Sequence, residues 1–163
     1  MKYRTLGKTN ISVSVVAMGC WSIVGSPTWG KQDEKDSIET IKKALDLGVN
    51  FFDTAEEYEY GDGSSESLLG KALTNCRHKA VISSKVSSSH LSANEIQLAC
   101  ENSLKRLNRD YIDLYQIHWP NRNIPFAETI GALGKLKEQG KIRAIGVSNF
   151  GVEDLSNFLA IGH

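Results

Sequence analysis

Four residues able to handle a proton recur at nearly one interval. Asp53, Lys85, His118 and Ser148 are separated by 32, 33 and 30 residues. A carboxylate, an amine, an imidazole and a hydroxyl are the groups from which general acid–base sites are built. Each ends a short apolar run: Val-Asn-Phe-Phe-Asp53, Ala-Val-Ile-Ser-Ser-Lys85, Ile-Asp-Leu-Tyr-Gln-Ile-His118 and Arg-Ala-Ile-Gly-Val-Ser148. A spacing of about 30 residues, with room for one strand and one helix per repeat, predicts stacked βα units. Ligands of such folds sit at the carboxyl ends of the strands. The four side chains are therefore expected around one active site.

The elements that must hold them follow from the pattern. Residues 4–6 and 11–18 have strand character on either side of the turn formers Gly7 to Asn10, which predicts a hairpin before the first strand of the main sheet. Strands are expected over residues 15–18, 50–53, 80–85, 111–118 and 142–148. Their density of Ile, Val, Phe and Leu suits parallel strands covered on both faces. Residues 22–30, rich in Gly, Ser, Pro and Trp, read as a loop. Ile38, Ile41, Ala44 and Leu45 mark a helix that Gly48 closes. Further helices are expected over residues 65–73, after a capping box of Ser92 and Glu95, from Pro125 to Gly140, and over residues 152–160. This makes five βα units where a closed (β/α)8 barrel has eight and about 250 residues. The expected fold is α/β: a TIM barrel truncated to about five units behind an N-terminal β-hairpin, with residues 1–163 as a single incomplete domain.

Composition narrows the function. Lys plus Arg and Asp plus Glu number 19 each, so the net charge is zero. There is no basic stripe to suggest nucleic acid. No apolar run approaches the roughly 20 residues of a membrane span, and the first residues lack a signal-peptide stretch. Cys20, Cys76 and Cys100 lie far apart without a CxxC, which favours reduced thiols in the cytoplasm. The four histidines show no metal-ligand spacing, and no metal site is expected.

The run Phe51-Phe52-Asp53-Thr54-Ala55-Glu56-Glu57-Tyr58 resembles the Asp-Thr-Ala-x-x-Tyr signature of the aldo-keto reductases. Lys85 after Val-Ile-Ser-Ser, His118-Trp119-Pro120, Gly-Val-Ser148-Asn149-Phe150 and the stretch from Gly61 through Glu66 to Leu73 resemble the family's other motifs in the same order. The resemblance spans the whole chain. It implies reduction of an aldehyde or ketone with hydride from NADPH, Tyr58 being the acid, Lys85 its tuner, Asp53 the anchor of Lys85, and His118 the group that orients the carbonyl or shares the proton. An adjacent ammonium is expected to lower the phenol's pKa. The resemblance also implies cofactor contacts from Gly19, Cys20, Trp21, Asp53, Ser148 and Asn149. It places a substrate pocket among Trp21, Tyr58, His118 and Trp119, with a small carbonyl compound as partner. Tyr60 is a second phenol near the motif, and the spacing from Asp53 selects Tyr58. Asp113 and Gln116, inside a strand, are expected to make buried structural hydrogen bonds.

The family's remaining pieces, including the residues that grip the cofactor's phosphates, are expected after residue 163. The chain therefore reads as a truncated or fragmentary aldo-keto reductase of impaired activity. The alternative is a non-catalytic half-barrel, a binding or assembly module that self-associates through its open edges.

Overall fold

In the computed structural model, which describes residues 1–58 and 63–161, the apolar runs pair in chain order. Strands β1 (Tyr3–Thr5) and β2 (Ser12–Ser14) form the expected antiparallel hairpin. Its turn is closed by Leu6 N–H to Ile11 O and by Gly7 in the left-handed region at φ 53°. Strands β3 (Ala17–Gly19), β4 (Phe51–Asp53), β5 (Val81–Val86), β6 (Ile112–Ile117) and β7 (Ile142–Val147) make one five-stranded sheet, each parallel to the next. The first of these starts two residues later than expected. The Ser14 hydroxyl turns to Val16 O, and Asn50 Oδ1 takes the Ser14 N–H, so Val15, whose N–H bonds Lys2 O at 3.0 Å, and Val16 connect the two sheets.

Helices α1 (Glu34–Asp46), α2 (Ser64–Ala72), α3 (Ala93–Leu107), α4 (Phe126–Glu138) and α5 (Val152–Ile161) follow the five strands in turn. Gly48 and Gly140 end their helices at φ 87° and 73°, the left-handed conformation a C′ glycine supplies. The capping box takes another form. The Ser92 hydroxyl bonds the Glu95 carboxylate rather than a backbone N–H, and Glu128 from α4 accepts Ala93 N–H at 2.8 Å. That open N–H is met from a neighbouring helix because α3 and α4 pack side by side.

One face of the sheet is buried under the helices in a core that includes Phe52, Ile82, Tyr115 and Ile117 with Leu69, Ile96 and Leu133. On the other face Phe51, Val81, Leu114 and Ala144 meet Ile11 and Val13 of the hairpin, which closes the amino-terminal end of the sheet. Asp113 and Gln116 make the expected internal bonds. Asp113 accepts Ile82 N–H at 3.0 Å and pairs with Arg143 at 2.6 Å, while Gln116 donates to Ser83 at 2.8 Å.

A buried ion pair fixes the strand that carries Lys85. Glu66 of α2, fully buried, accepts the Ser84 hydroxyl at 2.5 Å and the Arg106 guanidinium of α3 at 2.7 Å. Burial raises the Glu66 carboxyl above its ordinary range, against the opposing pull of Arg106 and Ser84. Arg106 lies across Gly63, where a β-carbon would fall 2.0 Å from its Nε. The glycine therefore serves close approach as well as its φ of 70°.

Candidate active site

Alternation along β5 turns Val81, Ser83 and Lys85 to the inner face, and the same rule puts Asp53 of β4 beside Ser83 in register. Ladder-type bonds run one residue past the strand ends. Cys20 N–H bonds Asp53 O, Thr54 N–H bonds Ser83 O, His118 N–H bonds Val86 O and Ser148 N–H bonds Ile117 O, at 2.8 to 3.0 Å. These bonds hold the predicted site residues on one rim.

Three of the predicted residues form a tight unit. Lys85 Nζ donates to Asp53 Oδ2 at 2.6 Å, to Tyr58 Oη at 2.8 Å and to the Thr54 carbonyl at 2.9 Å. An ammonium has three N–H donors, and all three are used. Its side chain is 6 % exposed against 29 % for Asp53, so a buried cation meets a partly exposed carboxylate. The Tyr58 hydroxyl in turn lies 3.4 Å from Asp53 Oδ2.

The electrostatics correct one expectation. The Tyr58 phenol stands above its ordinary value near 10, not below it. Burial is the largest cause. Lys85 opposes it, but the negative charge of Asp53 adds to the rise. The lysine's charge is shared with a carboxylate as close to it as the phenol is, so it only partly offsets the cost of burying a phenolate.

His118 completes the rim. Its ring meets the Tyr58 ring edge-on at 5.7 Å and stacks with Trp119 at 6.4 Å. Nδ1 is buried and lies 3.0 Å from Glu57 Oε2, at ion-pair distance but off the axis of a straight hydrogen bond. Burial, then Lys85, hold the imidazole below its ordinary 6.5, while Glu57 and Asp53 push it back up. Trp21 stacks on Tyr58 at 5.9 Å and 19°, and Trp29 closes on Trp21 edge-on at 5.5 Å. Trp21, Pro27, Thr28, Glu57, Tyr58, His118 and Trp119 line a cavity of about 440 Å³. All four predicted pocket residues are thus in one cavity, within the range of small-molecule sites.

Ser148 and Asn149 stand at the end of β7, beside the rim. Asn149, at φ 59°, donates through Nδ2 to His118 O at 2.8 Å and to Ser148 Oγ at 3.0 Å. The Ser148 proton and the Asn149 Oδ1 are left as one donor and one acceptor side by side. A primary carboxamide needs that pairing, so the donor set fits a nicotinamide amide. Gly19 ends β3 opposite Asp53. Cys20 turns inward, fully buried, and burial raises its thiol to about 12. Its carbonyl accepts the Ser65 hydroxyl at 2.6 Å, so its side chain and carbonyl both serve the fold. Among the described residues no cluster of potential metal ligands occurs, and no helix is long and apolar enough to cross a membrane. Tyr60 lies outside the described residues.

Sequence reading missed Glu57, Ser87 and Trp29. Glu57 is one of the two unconstrained positions between Ala55 and Tyr58, and nothing in a strand or helix period marks it. Ser87 donates to Glu57 Oε1 at 2.5 Å from the loop after β5, a partnership that only the neighbouring strand ends create.

Known proteins are similar to this chain in sequence and in fold. The chain is 43 % identical to aldo-keto reductase YhdN of Bacillus subtilis over 99 % of its own length and 51 % of the relative's. It is 37 % identical to the NADH-specific methylglyoxal reductase of Escherichia coli, again over 99 % of itself and 56 % of the relative. Among solved structures, the thermostable aldo-keto reductase Tm1743 in complex with the inhibitor epalrestat superimposes with a TM-score of 0.91 at 40 % identity, over 100 % of this chain and 59 % of that one. An aldo-keto reductase from Klebsiella pneumoniae in complex with NADPH gives 0.83 at 35 %, over 91 % and 50 %. The chain thus spans about half the length of the curated relatives it matches. The model of the Aldo/keto reductase family matches residues 15–160, and the chain belongs to that family.

Proposed function

We propose that this chain carries the proton-donating half of an NADPH-dependent oxidoreductase that reduces aldehydes or ketones to alcohols. The observation that carries the reading is the buried Lys85 ammonium, held between Asp53 at 2.6 Å and the Tyr58 hydroxyl at 2.8 Å. The cofactor, when bound, supplies hydride to the carbonyl carbon. Tyr58 gives its proton to the carbonyl oxygen as charge gathers there, and the Lys85 charge behind it stabilises the phenolate left behind. Asp53 keeps Lys85 charged and aimed. His118 orients the carbonyl from across the cavity, and Trp21 and Trp119 wall the carbon skeleton of the substrate. Ser148 and Asn149 hold the carboxamide. NADPH is favoured by its presence in the Klebsiella structure. A cytoplasmic setting is supported by three cysteines that form no disulfide.

A second reading, an assembly module without turnover, draws on the apolar surface of α5, where Val152, Leu155, Leu159 and Ile161 are exposed. One experiment separates the two. Residues 1–163 are joined to the part of the Bacillus subtilis relative that they do not span, and NADPH consumption is followed with para-nitrobenzaldehyde. The enzyme reading expects turnover that Tyr58→Phe removes. A folded chimera that binds NADPH but turns over equally well with Phe at position 58 refutes it.

A further inference from the structure

Residues 22–30, a loop by sequence, form a small built arm beside the cavity. Ser26 and Gly30 exchange both backbone bonds, Ser26 N–H to Gly30 O at 3.0 Å and Gly30 N–H to Ser26 O at 2.7 Å. The Ser26 hydroxyl oxygen also accepts the N–H groups of Thr28 and Trp29, each at 3.0 Å. Gly25 enters this turn at φ 70°, where a β-carbon would lie 2.7 Å from Gly30 O. The base of the arm is anchored by Ile23, which is buried and whose carbonyl accepts the Ser37 hydroxyl of α1 at 2.6 Å. The backbone that carries Trp29 is therefore tied at its base and across its turn.

Trp29 meets Trp21 edge-to-face, with ring centroids 5.5 Å apart and planes at 83°. Trp21 in turn stacks on the Tyr58 ring at 5.9 Å. Trp21 lines the cavity with Pro27 and Thr28 from the tip of the arm, whereas Trp29 is outside that lining. The two indoles are 44 % and 47 % exposed, so the core holds neither of them. The setting of Trp21 is left to its two aromatic neighbours, Tyr58 on one side and Trp29 on the other.

We propose that Trp29 is a specificity-determining residue that acts without touching substrate: it fixes Trp21 as a cavity wall and so favours flat aryl aldehydes over short aliphatic ones. This rests on the reading that the cavity takes the carbonyl substrate at Tyr58. An indole free to turn loses that freedom when a ligand packs on it, which costs affinity. A braced indole has already lost it. An aryl group large enough to cover the wall gains the difference. A short aliphatic carbonyl covers little of the indole and gains little. The brace thus acts on binding and leaves proton transfer to Tyr58 and Lys85.

The test uses residues 1–163 and para-nitrobenzyl alcohol, the reduced form of the assay aldehyde, so it needs no turnover. A ligand-observed NMR titration gives the dissociation constant. Trp29→Ala should weaken binding by about 3- to 10-fold, the worth of one edge-to-face pair. Trp29→Phe keeps an aromatic edge against Trp21 and should restore most of the loss. Unchanged affinity in Trp29→Ala, an equal loss in Trp29→Phe, or an unaltered chain that binds no alcohol overturns the proposal. The pairing itself is read by circular dichroism, as an indole exciton couplet that Trp29→Phe removes and Trp119→Phe leaves. An unaltered chain without that couplet overturns the proposal whether or not Trp29→Ala folds. In the chimera, Trp29→Ala should raise KM for para-nitrobenzaldehyde by the same factor and leave kcat and the KM for methylglyoxal as they were. A general loosening of the site would raise both KM values, and that result also overturns it. Failure of the reductase reading is seen separately, as turnover that survives Tyr58→Phe.

Discussion

The Lys85 ammonium lies 2.8 Å from the Tyr58 hydroxyl and 4.7 Å from the centre of its ring. The two distances put the cation beyond the hydroxyl oxygen, so it acts on the phenol through that oxygen. The hydrogen bond and the charge of Lys85 both favour the ionised form of the phenol. The balance still lies toward the neutral phenol, because burial and Asp53 outweigh the lysine. A neutral phenol is the species a proton donor needs at physiological pH.

Tyr58→Phe should lower carbonyl reduction by about 10²- to 10⁴-fold, the usual worth of a positioned acid. NADPH binding should be nearly unchanged, as measured by quenching of protein fluorescence in the closed-barrel chimera. Tyr60→Phe should retain most activity. The opposite pattern would move the donor's role to Tyr60.

Lys85→Met should be nearly as severe, because it acts through the same proton transfer. The double variant should be little worse than either single one, since groups acting as one unit give non-additive losses. Removing the lysine takes away the main influence that lowers the phenol's pKa, so that pKa should climb further above 10. Alcohol oxidation needs the phenolate as base and rises with pH through that value. Its alkaline rise should therefore move to higher pH in Lys85→Met, which a rate profile in the oxidative direction measures. Fully multiplicative losses would disprove the coupling.

Arg106→Ala should destabilise the fold by about 3 kcal/mol, the cost of stranding a buried charge, as read by urea unfolding. The sign of its pH dependence follows from Glu66. Its carboxyl is raised in the folded state, so folding binds this proton more tightly than the unfolded chain does. The contribution is full below about 4.5 and is lost as pH rises through the folded value. The deficit in Arg106→Ala should accordingly shrink in acid and widen toward neutral pH.

Residues 1–163 alone should self-associate and show little or no turnover with simple aldehydes. The sheet ends at β3 and β7 without a further strand among the described residues, and Val15, Val16, Val152 and Leu159 are exposed near those edges. Ser148 and Asn149 would grip only the nicotinamide end of the cofactor. Without charge-assisted phosphate contacts, worth about 1.5–3 kcal/mol each, affinity should fall by several powers of ten. Light scattering and an aldehyde assay on the same sample test both parts. A monodisperse monomer with robust turnover would contradict them.

Much of this protein can be read from its residues in order. The spacing of Asp53, Lys85, His118 and Ser148 determined the repeat, because a buried parallel strand and its covering helix need a nearly constant length of chain. Family motifs singled out Tyr58. The tertiary structure alone decided three things. Where β3 starts depends on the Ser14–Asn50 bonds, which join residues 36 apart in sequence. The direction of the Tyr58 shift depends on how one ammonium divides between two oxygens and on how much water is excluded, and neither is a property of residue order. The placement of Glu57 depends on the ends of β4, β5 and β6 meeting at one rim, where Ser87 and His118 arrive from different units. Local periodicity records which face a residue takes, but partners across strands are set by register and by packing in three dimensions.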